Sequence, residues 1–186
     1  PITGGEITID STAHEYDGEA RTPVVAVTLD GNPLVENTDF KVSYKLNGAT
    51  VSEIKDAGEY QIVATGCGDY RGKLTATYTV TKRNLSNATI SSAEDKQYSG
   101  TNNIQDLVIT DLDTTLVLDK DYTITYSDNV NVGICDVTIT GIRNYAGEIL
   151  DSFTILASGE KGHTGEEEVV NRKEATCEDG YTGDAV

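Results

Sequence analysis

The chain repeats itself, and that repeat constrains its fold more than any other feature. Tyr16-Asp17-Gly18 returns 82 residues later as Tyr98-Ser99-Gly100. At the same spacing, Asp39-Phe40-Lys41-Val42-Ser43-Tyr44 returns as Asp121-Tyr122-Thr123-Ile124-Thr125-Tyr126. Farther on, Gly58, Gly66, Tyr70 and Gly72 return as Gly133, Gly141, Tyr145 and Gly147, now 75 residues apart. The first copy therefore holds 7 extra residues, which fall within 45–57, where a loop tolerates added length cheaply. Self-similarity of this kind means one supersecondary plan used twice. The aromatic residues follow it: Tyr16 pairs with Tyr98, Phe40 with Tyr122, Tyr44 with Tyr126, Tyr70 with Tyr145 and Tyr78 with Phe153. Only Tyr60 and Tyr181 have no counterpart. A tyrosine duplicated in both copies reads as framework, since it buries a large apolar body with a hydrogen-bonding tip.

The local pattern is that of strands. Phe40, Val42 and Tyr44 alternate with Lys41 and Ser43, and Tyr122, Ile124 and Tyr126 alternate with threonines. Leu74, Ala76, Tyr78 and Val80 do the same, as do Val137 and Ile139, and such a period of two suits a half-buried pleated surface. Asp30-Gly31-Asn32 reads as a hairpin turn, and no segment has the periodicity of an amphipathic helix. These signals predict an all-β protein of two tandem small Ig-like β-sandwich modules, with a β-grasp-like sheet as the runner-up. The first module is expected over 5–82 and the second over 84–157, with an acidic tail or truncated further repeat over 158–186. A join as short as Lys82-Arg83-Asn84 restricts swing between the modules and favours an extended rod.

Composition narrows the partners. With 14 Lys and Arg against 31 Asp and Glu, the net charge is −17, which opposes nucleic acid and anionic lipid alike. The chain has no methionine, no signal peptide and no apolar run of membrane-spanning length. It is therefore expected to be a segment of a longer protein, with any leader or anchor outside it and no membrane insertion within it.

With these motifs in order, twice, the chain resembles the YDG-type, or bacterial Ig-like, extracellular repeat domains. The residues that carry the likeness are Tyr16-Asp17-Gly18, Asp121-Tyr122 through Tyr126, Asn131-Val132-Gly133, and Gly141-Ile142-Arg143-Asn144-Tyr145-Ala146-Gly147, closed by Phe153-Thr154-Ile155. The tail similarly resembles the start of another surface-protein repeat, through Gly162-His163, Glu174-Ala175-Thr176-Cys177 and Gly180-Tyr181-Thr182-Gly183-Asp184. The resemblance implies a secreted or cell-surface location on a Gram-positive bacterium. It also implies a non-catalytic role as a stalk or adhesin segment, the alternative being a module that binds a host glycan or protein.

No constellation of reactive residues stands out. The two histidines, His14 and His163, have no counterpart in the other module, and each reads as an exposed loop residue. Cys67, Cys135 and Cys177 form no CxxC pair, so they make neither a disulfide framework nor a metal site by themselves. Cys135 reads as a buried thiol and Cys67 as an exposed one. The opening strands, at 6–10 and 88–91, contain no lysine for an isopeptide crosslink. Asp111, Asp113, Asp119, Asp121 and Asp128 cluster, but without the loop spacing of a calcium site, so they read as turn residues and calcium is the one cofactor worth testing. Tyr60, the unmatched aromatic in the modules, is the expected contact if a ligand is bound at all.

Overall fold

The computed structural model of the protein describes residues 1–158. The first copy forms β1 (Glu6–Ile9), β2 (Ala13–Glu15), β3 (Val25–Leu29), β4 (Asn32–Pro33), β5 (Phe40–Leu46), β6 (Ala49–Val51), β7 (Gly58–Gly66) and β8 (Lys73–Thr81). A two-residue strand, β9 (Arg83–Asn84), occupies the join. The second copy forms β10 (Thr89–Ile90), β11 (Lys96–Gln97), β12 (Ile109–Asp111) and β13 (Thr114–Thr115). It continues with β14 (Tyr122–Tyr126), β15 (Gly133–Gly141), β16 (Tyr145–Ala146) and β17 (Glu148–Leu156).

Each copy makes two sheets. In the first, β1-β3-β4 faces the larger sheet β2-β8-β7-β5-β6; in the second, β10-β12-β13 faces β11-β17-β15-β14. In the larger sheets the last strand, β8 or β17, lies between the short early strand β2 or β11 and the long strand β7 or β15, the order of an Ig-like sandwich, while β16 pairs with β9 at the join. Val27, Phe40, Ile62, Tyr78 and Val80 come from both sheets into one buried cluster, and Ile109, Val137, Ile139, Phe153 and Ile155 form the second. Two sheets closed on one another, with no α-helix across either among the described residues, are the predicted sandwich rather than the β-grasp runner-up.

The repeat extends to individual hydrogen bonds. Asp39 Oδ2 accepts from the Val35 amide at 2.8 Å, and Asp121 Oδ2 accepts from Val117 at 2.9 Å. The Cys67 amide donates to the Asp39 carbonyl at 2.8 Å, and Ile142 donates to Asp121 at 2.9 Å. Gly66 and Gly141 each donate to a glycine carbonyl six residues on, both at 2.9 Å. These two returns require glycine: an added Cβ would lie 2.9 Å from the Arg71 backbone nitrogen in one and 2.8 Å from that of Ala146 in the other. The predicted Asp30-Gly31 hairpin joins β3 to β4, with φ of 51° and 79°; its counterpart puts Leu112 and Asp113 in the same left-handed region.

The seven extra residues do not make a plain loop. β5 runs on through Leu46, turns at Asn47-Gly48 with φ of 51° and 83°, and returns as β6, a fifth strand on the sheet. An Asn-Gly pair is the favoured sequence for that turn, which is why the insertion pairs instead of dangling.

Candidate functional site at the junction of the modules

The join is held from three sides. Arg83 in β9 donates through Nε and Nη2 to both carboxylate oxygens of Asp111 in β12, the Nη2 bond being 3.0 Å. Its Nη1 reaches back to Glu15 Oε1 in β2 at 2.9 Å. The Asp111 side chain is only 3% exposed, that of Arg83 20% and that of Glu15 50%. A planar guanidinium can hold both acids at once, where an ammonium could not match the two-pronged geometry. The pair with Asp111 and its surroundings hold the Arg83 pKa above the ordinary guanidinium value, chiefly through the hydrogen bond to Asp111.

Aromatic packing forms the second contact. Tyr16, from the first copy, meets Tyr145 of the second edge-on, with ring centroids 5.8 Å apart and planes at 76°. Tyr16 packs against both cores, so it belongs to each. Burial, with Asp111 and Tyr16 beside it, pushes the Tyr145 phenol up to about 12. Tyr16 and Tyr145 line a groove of about 180 Å³ together with Asp17, Glu19, Asp111 and Lys120.

The third contact is polar and starts from the segment just before β7. Asn144 donates through Nδ2 to Asp56 Oδ1 at 2.9 Å and accepts through Oδ1 from the Ala57 amide at 2.8 Å. Asp56 and Ala57 are themselves fixed by Tyr60, whose hydroxyl donates to the Asp56 carbonyl at 2.8 Å and accepts from the Lys55 amide at 3.3 Å. This corrects the reading of Tyr60 as a ligand contact: it is 2% exposed, with its ring in the first core. Its register equivalent is the buried Cys135, opposite Phe153 as Tyr60 is opposite Tyr78. The Tyr60 hydroxyl anchors the segment that joins the insertion to β7 and aims it at the second module.

The other expected residues lie apart from this site. His14 is not an exposed loop residue: it sits in β2, with Nδ1 3.0 Å from the Tyr78 hydroxyl and Nε2 buried without a hydrogen bond. Burial, followed by the nearby Arg21, lowers its pKa from the usual imidazole value. It borders a groove of about 350 Å³ with Ser11, Arg21 and Tyr78. Ser11 donates to the Ala13 carbonyl at 3.2 Å and Arg21 is paired with Asp17, so the hydroxyl that faces the imidazole in that groove is the phenol of Tyr78.

Cys135 is buried, and Cys67 is half-buried instead of exposed, its Sγ 3.3 Å from the Thr38 carbonyl; both are free thiols. The acidic residues disperse into separate tasks. Asp111 pairs with Arg83, Asp121 caps the Val117 amide, and Asp113 and Asp119 sit in turns at φ 56° and 63°. Asp128 accepts from Val130 and from Asn131, which holds its carboxyl below the usual range, chiefly through the Asn131 side chain. Among the described residues no group of three or more His, Cys, Asp or Glu is placed to hold a metal ion. His163, Cys177, Tyr181 and the expected tail lie outside the described residues.

In the sequence the join shows as a short linker that restricts swing, without the residues that hold it. Arg83 could have been singled out as a charge in a three-residue linker, but its partners lie 68 and 28 residues away and neither acid is repeated. No family model matches the chain, and no curated protein matches it. Among solved structures, the titin Ig tandem domains A164-A165 match 82% of this chain and 98% of theirs, at 13% identity and a TM-score of 0.30. A likeness at that score carries no argument, and the sandwich assignment rests on the strand order of the chain itself.

Proposed function

We propose that this chain is a non-catalytic spacer, a stiff two-module segment of a bacterial cell-surface protein. The single observation that carries the reading is the join, where Arg83 is tied to an acid of each module while Tyr16 and Asn144 close the flanks. A linker meant for free swing would be long, polar and uncontacted. Here each contact fixes the direction of one module against the other. The resemblance to YDG-type repeats supports the surface location, and the net charge of −17 suits a protein that has to stay dispersed outside a cell.

Binding of a glycan or a host protein is the competing role, and removing Tyr60 from the surface takes away its expected contact. The test is a glycan array together with immobilised mucin and matrix proteins, probed with the full chain. A spacer gives no saturable binding up to high micromolar concentration. Saturable binding to one ligand, lost on substitution of exposed residues that leaves the thermal melt unchanged, would overturn the spacer reading.

A further inference from the structure

The junction uses one end of each module, and the two opposite ends carry its matching halves. The repeat takes Tyr16 to Tyr98, and takes Asp56 and Ala57 to Asn131 and Val132. In the other direction it takes Tyr145 and Asn144 to Tyr70 and Asp69. Where the modules meet, Tyr145 is 4% exposed; at the outer ends Tyr98 is 43% exposed, Val132 54%, and Asp69 is exposed as well.

The charges at these ends change together. Arg83, Glu15 and Asp111 correspond to Ser158, Gln97 and Leu29, so the arginine and both of its acids are replaced by neutral residues. Gln97 lies on the second module, Ser158 directly follows it, and Leu29 lies on the first. Asp17 and Glu19, which border the junction groove, correspond to Ser99 and Thr101. Had either acid persisted without its arginine, bringing the ends together would strand a carboxylate away from water. The amide and carboxylate of the third contact trade places, since Asn144 and Asp56 become Asp69 and Asn131. An asparagine has two N–H donors; one of Asn131 serves Asp128, which leaves the other for Asp69. The outer ends thus match each other in shape class and hydrogen-bonding sense, and the junction's arginine and its two acids are absent from them together.

We propose that the end of the second module, around Tyr98, Asn131 and Val132, docks head to tail on the end of the first module, around Leu29, Asp69 and Tyr70, of a second copy of this chain. Tyr98 meets Tyr70 as Tyr16 meets Tyr145, and the Val132 amide donates to Asp69 as that of Ala57 donates to Asn144. The contact is heterologous, so it extends into rows and does not stop at a symmetric pair. The internal contact has the millimolar effective concentration of the short join and the Arg83 pair besides; the contact between copies has neither, so it is expected to be the weaker of the two, with a Kd of about 1 mM. Like charge on the copies opposes it, and salt at about 0.5 M shortens that repulsion to roughly 4 Å.

The test is an NMR dilution series of the full chain from about 0.05 to 2 mM in high salt, a range that brackets the expected Kd. Concentration-dependent amide shifts at Tyr98, Val132, Leu29 and Tyr70, reduced at least about tenfold by Tyr98→Ala and by Val132→Asp, are expected for an anchor at the centre of a contact. A second protein, residues 1–158 fused directly to 1–186, preserves the spacing of the internal join and removes the affinity limit. In it the two middle modules should share one alignment tensor. Shifts confined to the open edge of β14 would mean strand pairing instead, and the proposal falls. It also falls if dilution changes nothing and the middle modules of the fusion align independently.

Discussion

Replacing Arg83 by methionine tests the junction at its most buried charge. The substitution keeps an unbranched apolar stem and removes the guanidinium that gives Asp111 its two hydrogen bonds. Asp111 is then a carboxylate with a side chain 3% exposed and no counter-charge. Breaking such a buried pair costs about 3–5 kcal/mol when the remaining charge stays dry. Here Arg83 is partly exposed and Glu15 half-exposed, so parting of the modules lets water back to Asp111. That relief lowers the expected cost to about 2–3 kcal/mol, and the arm to Glu15 adds no more than about 0.5 kcal/mol. Urea unfolding followed by the amide signals of Val137 and Ile62 reports the two cores separately. With a slope of about 1.5 kcal/mol per molar urea for a module this small, the midpoint of the second should fall by roughly 1.5 M. Asp111→Asn in the same background removes the stranded charge and should restore most of the loss, giving a coupling energy of about 2 kcal/mol in the double-mutant cycle. A single variant within about 0.5 kcal/mol of the parent, the range of an ordinary surface change, with no rescue by Asp111→Asn, would refute the view of Arg83 as a latch.

Three further predictions follow from the neighbouring residues. Tyr60→Phe should keep the fold, cost about 1 kcal/mol for its hydroxyl contacts, and speed hydrogen exchange at the Ala57 amide; unchanged exchange there would show that Tyr60 does not position the segment that meets Asn144. The lowered pKa of His14 means the folded state favours the neutral ring. Its contribution to stability is therefore present above the ordinary value of 6.5 and lost as pH falls through the lower folded value, so the difference in melting temperature from His14→Gln should vary with pH in that window and be flat above it. Tyr145 should stay protonated when tyrosines at ordinary values ionise. Its effect on stability is full below pH 10.0 and lost as pH rises toward about 12, visible as a late step in the ultraviolet titration that Tyr145→Phe removes.

The strands and the duplicated plan were legible because alternation and spacing are local properties written in every few residues. Val42 and Tyr44, or Ile124 and Tyr126, show their faces without reference to anything distant. Gly66 and Gly141 were readable as returns for the same reason. By length alone the insertion reads as plain loop, although Asn47-Gly48 within it is a hairpin signal and β6 pairs with β5. Tyr60 was misplaced by a subtler error. Its lack of a counterpart suggests a special surface, whereas it is a core residue whose hydroxyl holds Asp56 in place. His14 and Cys67 were placed at the surface because their flanks looked like loops, and pairing of β2 with β8 draws the histidine in. The junction was least legible of all. Alignment of the copies equates Tyr16 with Tyr98 and Tyr145 with Tyr70, but the residues that touch, Tyr16 and Tyr145, occupy different positions of the plan. Contacts between copies are invisible to a comparison that superimposes them.

The central claim is that the two modules form one stiff body. Backbone residual dipolar couplings, measured on the full chain in a weakly aligning medium and fitted separately for 5–82 and 84–157, test it most directly. The contacts of Arg83, Tyr16 and Asn144 predict two alignment tensors equal in magnitude and orientation. Tensors that differ in magnitude, with the second module averaged relative to the first, would contradict the account.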